Sequence, residues 1–148
     1  MILFALVTIL SQWLAPIPGA EVLLDFAPAQ QRWSAGHRGV DFAAETGTSV
    51  AAIGPGTVVF AGIIAGKPVI SIEHPELGLR STYEPVTGVV RPGDVVRGGQ
   101  LIGSIARVGG HCADRCLHLG LKDPRHGQYR DPLALWDSRY AVLKPLSD

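Results

Sequence analysis

From Pro16 onward, glycine and proline punctuate this chain too closely for a long helix to form. With 18 Gly and 11 Pro in 148 residues, the apolar runs between them are short and rich in Val, Ile and Thr. Thr46 to Ile53 is closed by the turn signal Gly54-Pro55-Gly56, and Thr57-Val58-Val59-Phe60-Ala61-Gly62 follows as a strand of β-branched and aromatic type. Val69 to His74 and Leu79 to Tyr83 read as two strands, with Pro75 and Gly78 supplying a hairpin turn. Val89 to Gly103 holds glycine turns that frame further short strands, and Leu117 to Leu121 is another. Only Asp131-Pro132-Leu133-Ala134-Leu135-Trp136 reads as a helical turn; no earlier stretch sustains helical periodicity. The predicted fold class is all-β, a single domain of antiparallel hairpins with roughly seven to nine strands by turn spacing. A chain of this length can bury a core of its own.

Lys+Arg and Asp+Glu balance at 13 each, so no basic face points to nucleic acid. Met1 to Leu10 is apolar apart from Thr8. About ten apolar residues are too few to span a bilayer but suit the core of a secretion signal. Gly19-Ala20 offers small residues for cleavage, so residues 1–20 are expected to be a signal peptide and the protein to be secreted. No Lys or Arg precedes Arg32, so the usual basic start of such a signal is missing. An apolar strand, or an uncleaved segment as the only membrane contact, stays open. Residues 21–36 are expected as an extended lead-in, 36–137 as the core domain and 138–148 as a tail. Cys112 and Cys116 lie close together, which in a secreted protein favours a small disulfide ring.

Chemistry concentrates in His37-Arg38-Gly39-Val40-Asp41. In extended chain, residues four apart point to the same face. An imidazole and a carboxylate there make two-thirds of a catalytic zinc site, which takes three protein ligands and leaves one position for water. The third ligand must come from elsewhere, and His118 in Cys116-Leu117-His118-Leu119-Gly120-Leu121 is the best candidate. Alone, a His and an Asp at this spacing are more often an ordinary surface or hydrogen-bonded pair.

Several pieces stand in one order: His37 to Phe42, Gly47 to Ala52, Gly56 to Gly62, Ile72-Glu73-His74, Thr82-Tyr83, Gly93 to Gly103, Leu117-His118 and Asp131-Pro132-Leu133. The series, over about residues 36–135, resembles the core of lysostaphin-type, LytM-like zinc endopeptidases, which cut peptide cross-bridges in bacterial peptidoglycan. The resemblance implies an antiparallel β-sheet groove with one Zn2+ on its floor, held by His37, Asp41 and His118. It also implies a cell-wall setting and, as partner, peptidoglycan peptides or a cell-wall hydrolase, with the protein a monomer.

The same resemblance puts Pro85 and Cys116 where the family carries its two catalytic histidines. A register placing His118 on the first, catalytic His of the family's His-Leu-His segment and Gly120 on its second, ligand His would save one catalytic His and lose a ligand, and it fits the hydrophobic frame and the distance to Asp131-Pro132-Leu133 less well. Zinc with bound water remains a Lewis acid. The missing proton-handling and oxyanion groups are each worth about 10²–10³-fold or more. His111 and Tyr83 are the weak candidates to replace them: His111 if its loop folds back over the metal, Tyr83 because by alternation it shares the face of Pro85. Glu84 is expected to point away from the groove, His74 to be structural, and His126 receives no role. Two readings follow: a zinc-retaining protein that binds wall peptides or regulates a hydrolase, and an active metalloendopeptidase with a rebuilt acid–base site. A third class, a biotinyl or lipoyl carrier domain, is suggested by Gly93 to Gln100. It requires a modified Lys beside a Met, and the only Met is Met1.

Overall fold

The computed structural model describes residues 12–28, 36–108 and 115–137. His111, Cys112, the whole apolar run Met1–Leu10 and the tail lie outside the described residues, and with them the expected Cys112–Cys116 ring. Among the described residues the short runs between turns become ten strands, somewhat more than the turn spacing suggested: β1 Val22–Leu24, β2 Gly39–Ala43, β3 Ser49–Ala51, β4 Gly56–Ile64, β5 Lys67–His74, β6 Leu79–Glu84, β7 Val86–Gly88, β8 Val95–Val96, β9 Leu101–Ile105 and β10 Cys116–Lys122. Four of these, β1, β3, β7 and β8, have three residues or fewer, too short to register as periodic patterns. Among the described residues the single helical element is a 3-10 turn at Pro132–Leu135, where the Asp131 carboxylate accepts from the Leu133 N–H at 3.0 Å. No helix among the described residues is long and apolar enough to cross a membrane.

Seven strands form one sheet in the order β1-β2-β10-β6-β5-β4-β8, and β3-β9-β7 form a second, smaller one. Every pairing is antiparallel. Alternation decides which side each residue takes. In β6, Leu79, Ser81 and Tyr83 are buried, while Arg80, Thr82 and Glu84 are half-buried on the opposite face. The core gathers Val40, Phe42, Val50, Ile53, Ile70, Ile72, Tyr83, Ile102, Leu117 and Leu119 between the two sheets.

A chain of polar groups runs through this core. The Ile53 N–H donates to the Tyr83 hydroxyl at 2.9 Å, Ser81 Oγ lies 3.0 Å from that hydroxyl, and His74 Nε2 lies 2.7 Å from Ser81 Oγ. His74 Nδ1 is 2.8 Å from the Pro55 carbonyl. That carbonyl can only accept, so Nδ1 carries the proton. Burial also holds the His74 imidazole below its ordinary pKa, against the opposing pull of the Pro55 carbonyl. The lowered pKa favours the neutral ring, with Nε2 facing the Ser81 hydroxyl. His74 is structural, as its sequence context suggested.

Residues 12–20 are fastened to the same core. Leu14 N–H donates to the Ile53 carbonyl at 2.8 Å and Ala51 N–H to the Pro16 carbonyl at 2.9 Å. The Trp13 ring meets His74 edge-on, with centroids 5.1 Å apart, and lies where a Cβ on Gly54 would stand. Only glycine at position 54 leaves room for that indole.

Candidate metal centre

The antiparallel pairing of β2 with β10 sets His118 directly opposite Asp41, across 77 residues of sequence. Directly opposed residues share a face. His118 Nδ1 lies 2.7 Å from Asp41 Oδ1, and His37 Nε2 lies 3.3 Å from the same oxygen. The two imidazoles meet edge-on, with centroids 5.2 Å apart. Asp41 is 1 % exposed, and a carboxylate removed from water in this way needs charged or donor partners around it.

His37 precedes β2 and is held from the other side. It forms an isolated bridge with Ala27, each N–H donating to the other's carbonyl. Its Nδ1 is 2.7 Å from the Asp25 carbonyl. A carbonyl only accepts, so Nδ1 carries its proton there, and Nε2 is the ring nitrogen turned toward Asp41. This backbone-anchored tautomer is the usual arrangement of a metal-binding histidine.

One donor atom from each of His37, Asp41 and His118 lies within 4.8 Å of the others. Donors about 2.0–2.1 Å from a tetrahedral zinc stand roughly 3.3 Å apart, so the observed 3.3 and 2.7 Å need only small adjustments. Two nitrogens and one carboxylate oxygen fit the donor chemistry of zinc. The three residues that the sequence singled out as ligands are thus brought together.

Sequence reasoning passed over Gly39. A Cβ there would sit 2.8 Å from His118 Nε2 and 2.9 Å from Cε1, and closer still to the Leu119 carbonyl oxygen. The signal was the glycine between His37 and Asp41, whose absent side chain leaves space for an imidazole from the next strand.

A cavity of about 210 Å³ opens beside His118, lined by Lys67, Glu84, Pro85, Val108, Cys116 and His118. Two expectations fail here. Glu84 is paired opposite His118 in the β10–β6 register, so it joins the face of the cluster and does not point away. Tyr83 takes the opposite face: it is fully buried, and its hydroxyl is held by Ile53 and Ser81, so it is not available as an oxyanion donor. Burial pushes its pKa up to about 12. Alternation does not carry through Pro85, because β6 ends at Glu84 and β7 belongs to the other sheet. Cys116 is 2 % exposed and precedes His118 by two residues on the same strand. His126 bonds Asp123 in an exposed loop away from the cluster.

An antiparallel β groove with a His–Asp–His cluster on its face defines a metallopeptidase-type domain. The chain belongs to Peptidase family M23, whose model matches residues 35–132. The fold is shared with lysostaphin in its solution structure, at a TM-score of 0.69 and 25 % identity, covering 88 % of this chain and 56 % of that one. The catalytic domain of lysostaphin from Staphylococcus simulans superposes at 0.64 with 26 % identity, covering 77 % and 90 %. A mutant catalytic domain of the prophage-encoded M23 protein EnpA from Enterococcus faecalis superposes at 0.62 with 26 % identity, covering 80 % and 94 %. An uncharacterized protein of Mycobacterium tuberculosis strain H37Rv is 47 % identical over 133 residues, which cover 88 % of this chain and 53 % of that protein. An uncharacterized Mycobacterium bovis protein matches to the same extent. The chain spans about half the length of these curated relatives.

Proposed function

We propose that this chain is a zinc-binding M23-family domain that acts outside the cell on bacterial peptidoglycan peptides, binding them or regulating a wall hydrolase without cutting them itself. The observation that carries this reading is the convergence of His37 Nε2, Asp41 Oδ1 and His118 Nδ1 beside an open cavity. Bound there, zinc would supply a Lewis acid and an acidified water. The chain's own part is to hold that site: the Asp25 carbonyl orients His37, Gly39 makes room for His118, and the β2–β10 register sets Asp41 between them. The family's two proton-carrying histidines are replaced. In this reading Pro85 and Cys116 occupy the positions of the family's catalytic histidines. Proline has no proton to give, and Cys116 is not a free cysteine, in keeping with a Cys112–Cys116 bridge and secretion.

A second reading, an active endopeptidase with a rebuilt acid–base site, is favoured by the position of Glu84 opposite His118. Both readings are tested by two measurements on purified protein: zinc content of wild type and His118→Ala, and release of peptides from isolated peptidoglycan with and without chelator. A single zinc per chain, lost in His118→Ala, with no peptide release supports the non-cutting form. Chelator-sensitive release replaces it with the second reading. Wild type that holds no zinc sinks both as metal proteins.

A further inference from the structure

We propose that the cavity beside His118 is a subsite for an amino-acid zwitterion, a group carrying an ammonium and a carboxylate on one carbon, with Lys67 and Glu84 as its specificity-determining residues. Glu84 reaches the cavity from the last position of β6, opposite His118. Lys67 reaches it from the first position of β5. Ile70 is paired with Tyr83 in the β5–β6 ladder, so Lys67, three residues earlier, overhangs the end of β6.

Both side chains are half-buried, and among the described residues neither joins an ion pair or hydrogen bond. Two opposite charges that share a cavity without neutralising each other are presented to whatever enters it. The ammonium of Lys67 offers three donors and the carboxylate of Glu84 only accepts. Of the other walls, Pro85, Val108 and Cys116 are apolar and His118 is polar; the apolar ones strengthen polar contacts made between them. At about 210 Å³, the cavity has the volume of roughly seven waters, enough for one small amino-acid group.

A ligand bearing both charges satisfies both residues. An amine alone leaves Lys67 unmatched, and an acid alone leaves Glu84 unmatched. Because His118 is one wall, the bound group lies next to the metal centre. The inference rests on the proposed function only in taking that group to be part of a wall peptide, at a chain end or on a diamino-acid side chain.

The test uses three small probes, alanine, isopropylamine and isobutyrate, titrated into the ¹⁵N-labelled purified protein, metal-free and zinc-loaded. Alanine is expected to shift the amides of residues 67, 84, 108 and 116 and to bind about tenfold or more tightly than either single-charge probe, the usual effect of a hydrogen bond to a charged group. Lys67→Met is expected to lower alanine to the level of isopropylamine, and Glu84→Gln to the level of isobutyrate. Both variants are near-isosteric and half-exposed, and circular dichroism checks that they fold. Isobutyrate binding as well as alanine would mark an anion site, isopropylamine binding as well would mark a cation site, and no shifts at these amides would mean no subsite. Each result overturns the proposal, as would alanine affinity unchanged in both variants. Because the metal-free titration is read separately, absence of zinc would sink the proposed function while leaving this subsite standing.

Discussion

Replacing Gly39 by alanine places one methyl group against the edge of the metal centre. The new Cβ would stand 2.8 Å from His118 Nε2 and 2.9 Å from Cε1, and nearer to the Leu119 carbonyl. Ordinary carbon contacts lie at about 3.5–4.0 Å, so the imidazole must retreat by roughly 0.6 Å or more. The backbone carbonyl has less freedom, so part of the strain falls on the β2–β10 pairing. Overpacking of this kind costs about 1–3 kcal/mol in stability. Displacing a ligand's support weakens metal binding by roughly 10–100-fold. Gly120, directly opposite Gly39 in the ladder, is the control. A Cβ there meets only the Arg38 carbonyl oxygen, at 3.5 Å, an ordinary contact. Urea unfolding in chelator reads the packing cost, and competition with a chromophoric chelator reads zinc affinity. Gly39→Ala should fail in both assays while Gly120→Ala stays near wild type. Equal behaviour of the two variants would refute the claim that Gly39 exists to seat His118.

Tyr83→Phe removes the hydroxyl that accepts from Ile53 and contacts Ser81; stability should drop by about 1–3 kcal/mol with zinc content unchanged, and loss of zinc would return Tyr83 to the site. His74 is held neutral in the fold below its ordinary value of 6.5, so the unfolded chain binds the extra proton first. Stability from this group is intact above about pH 6.5 and declines as pH falls from there toward the folded-state value. His74→Gln should flatten that part of the urea-midpoint profile, and an unchanged slope would count against a neutral buried His74. A chain starting at Glu21 loses Trp13 and the bonds from Leu14 and Pro16 to the core. It should unfold at lower temperature, by roughly 2–3 kcal/mol of stability judged from partial loss of a buried aromatic. Equal melting of the two chains would show that residues 12–20 add nothing to the fold.

The His–Asp pair was legible because its geometry is local: five consecutive residues in extended chain put two donors on one face. His118 was legible from its short apolar frame and the resemblance. The strand class followed from turn glycines such as Gly78, which does take a positive φ of 63° at the β5–β6 turn. What misleads is alternation pushed past its range. Counting from Pro85 gives Tyr83 and Glu84 the wrong faces, because the chain leaves one sheet for the other at that residue. Lys67 could not be found at all, because it reaches the cavity through register between strands and no local pattern marks it. The apolar residues after position 11 suit both a secretion signal and a strap over a core, and composition does not separate the two. The packing of Trp13 and Pro16 bears on where any cleavage would leave a complete domain.

The Ala27–His37 bridge and the Asp25–His37 contact tie one of the three donors to a stretch of chain that lies upstream of the metallopeptidase motif. With a metal bound, two events become reciprocal: docking of residues 25–27 raises affinity for the ion, and the ion in turn raises the free energy needed to peel residues 25–27 away, by the same factor. Any tension, tether or partner acting on the preceding chain is thereby felt at the metal, making this short bridge a mechanical link between how the domain is held and how tightly it keeps its ion.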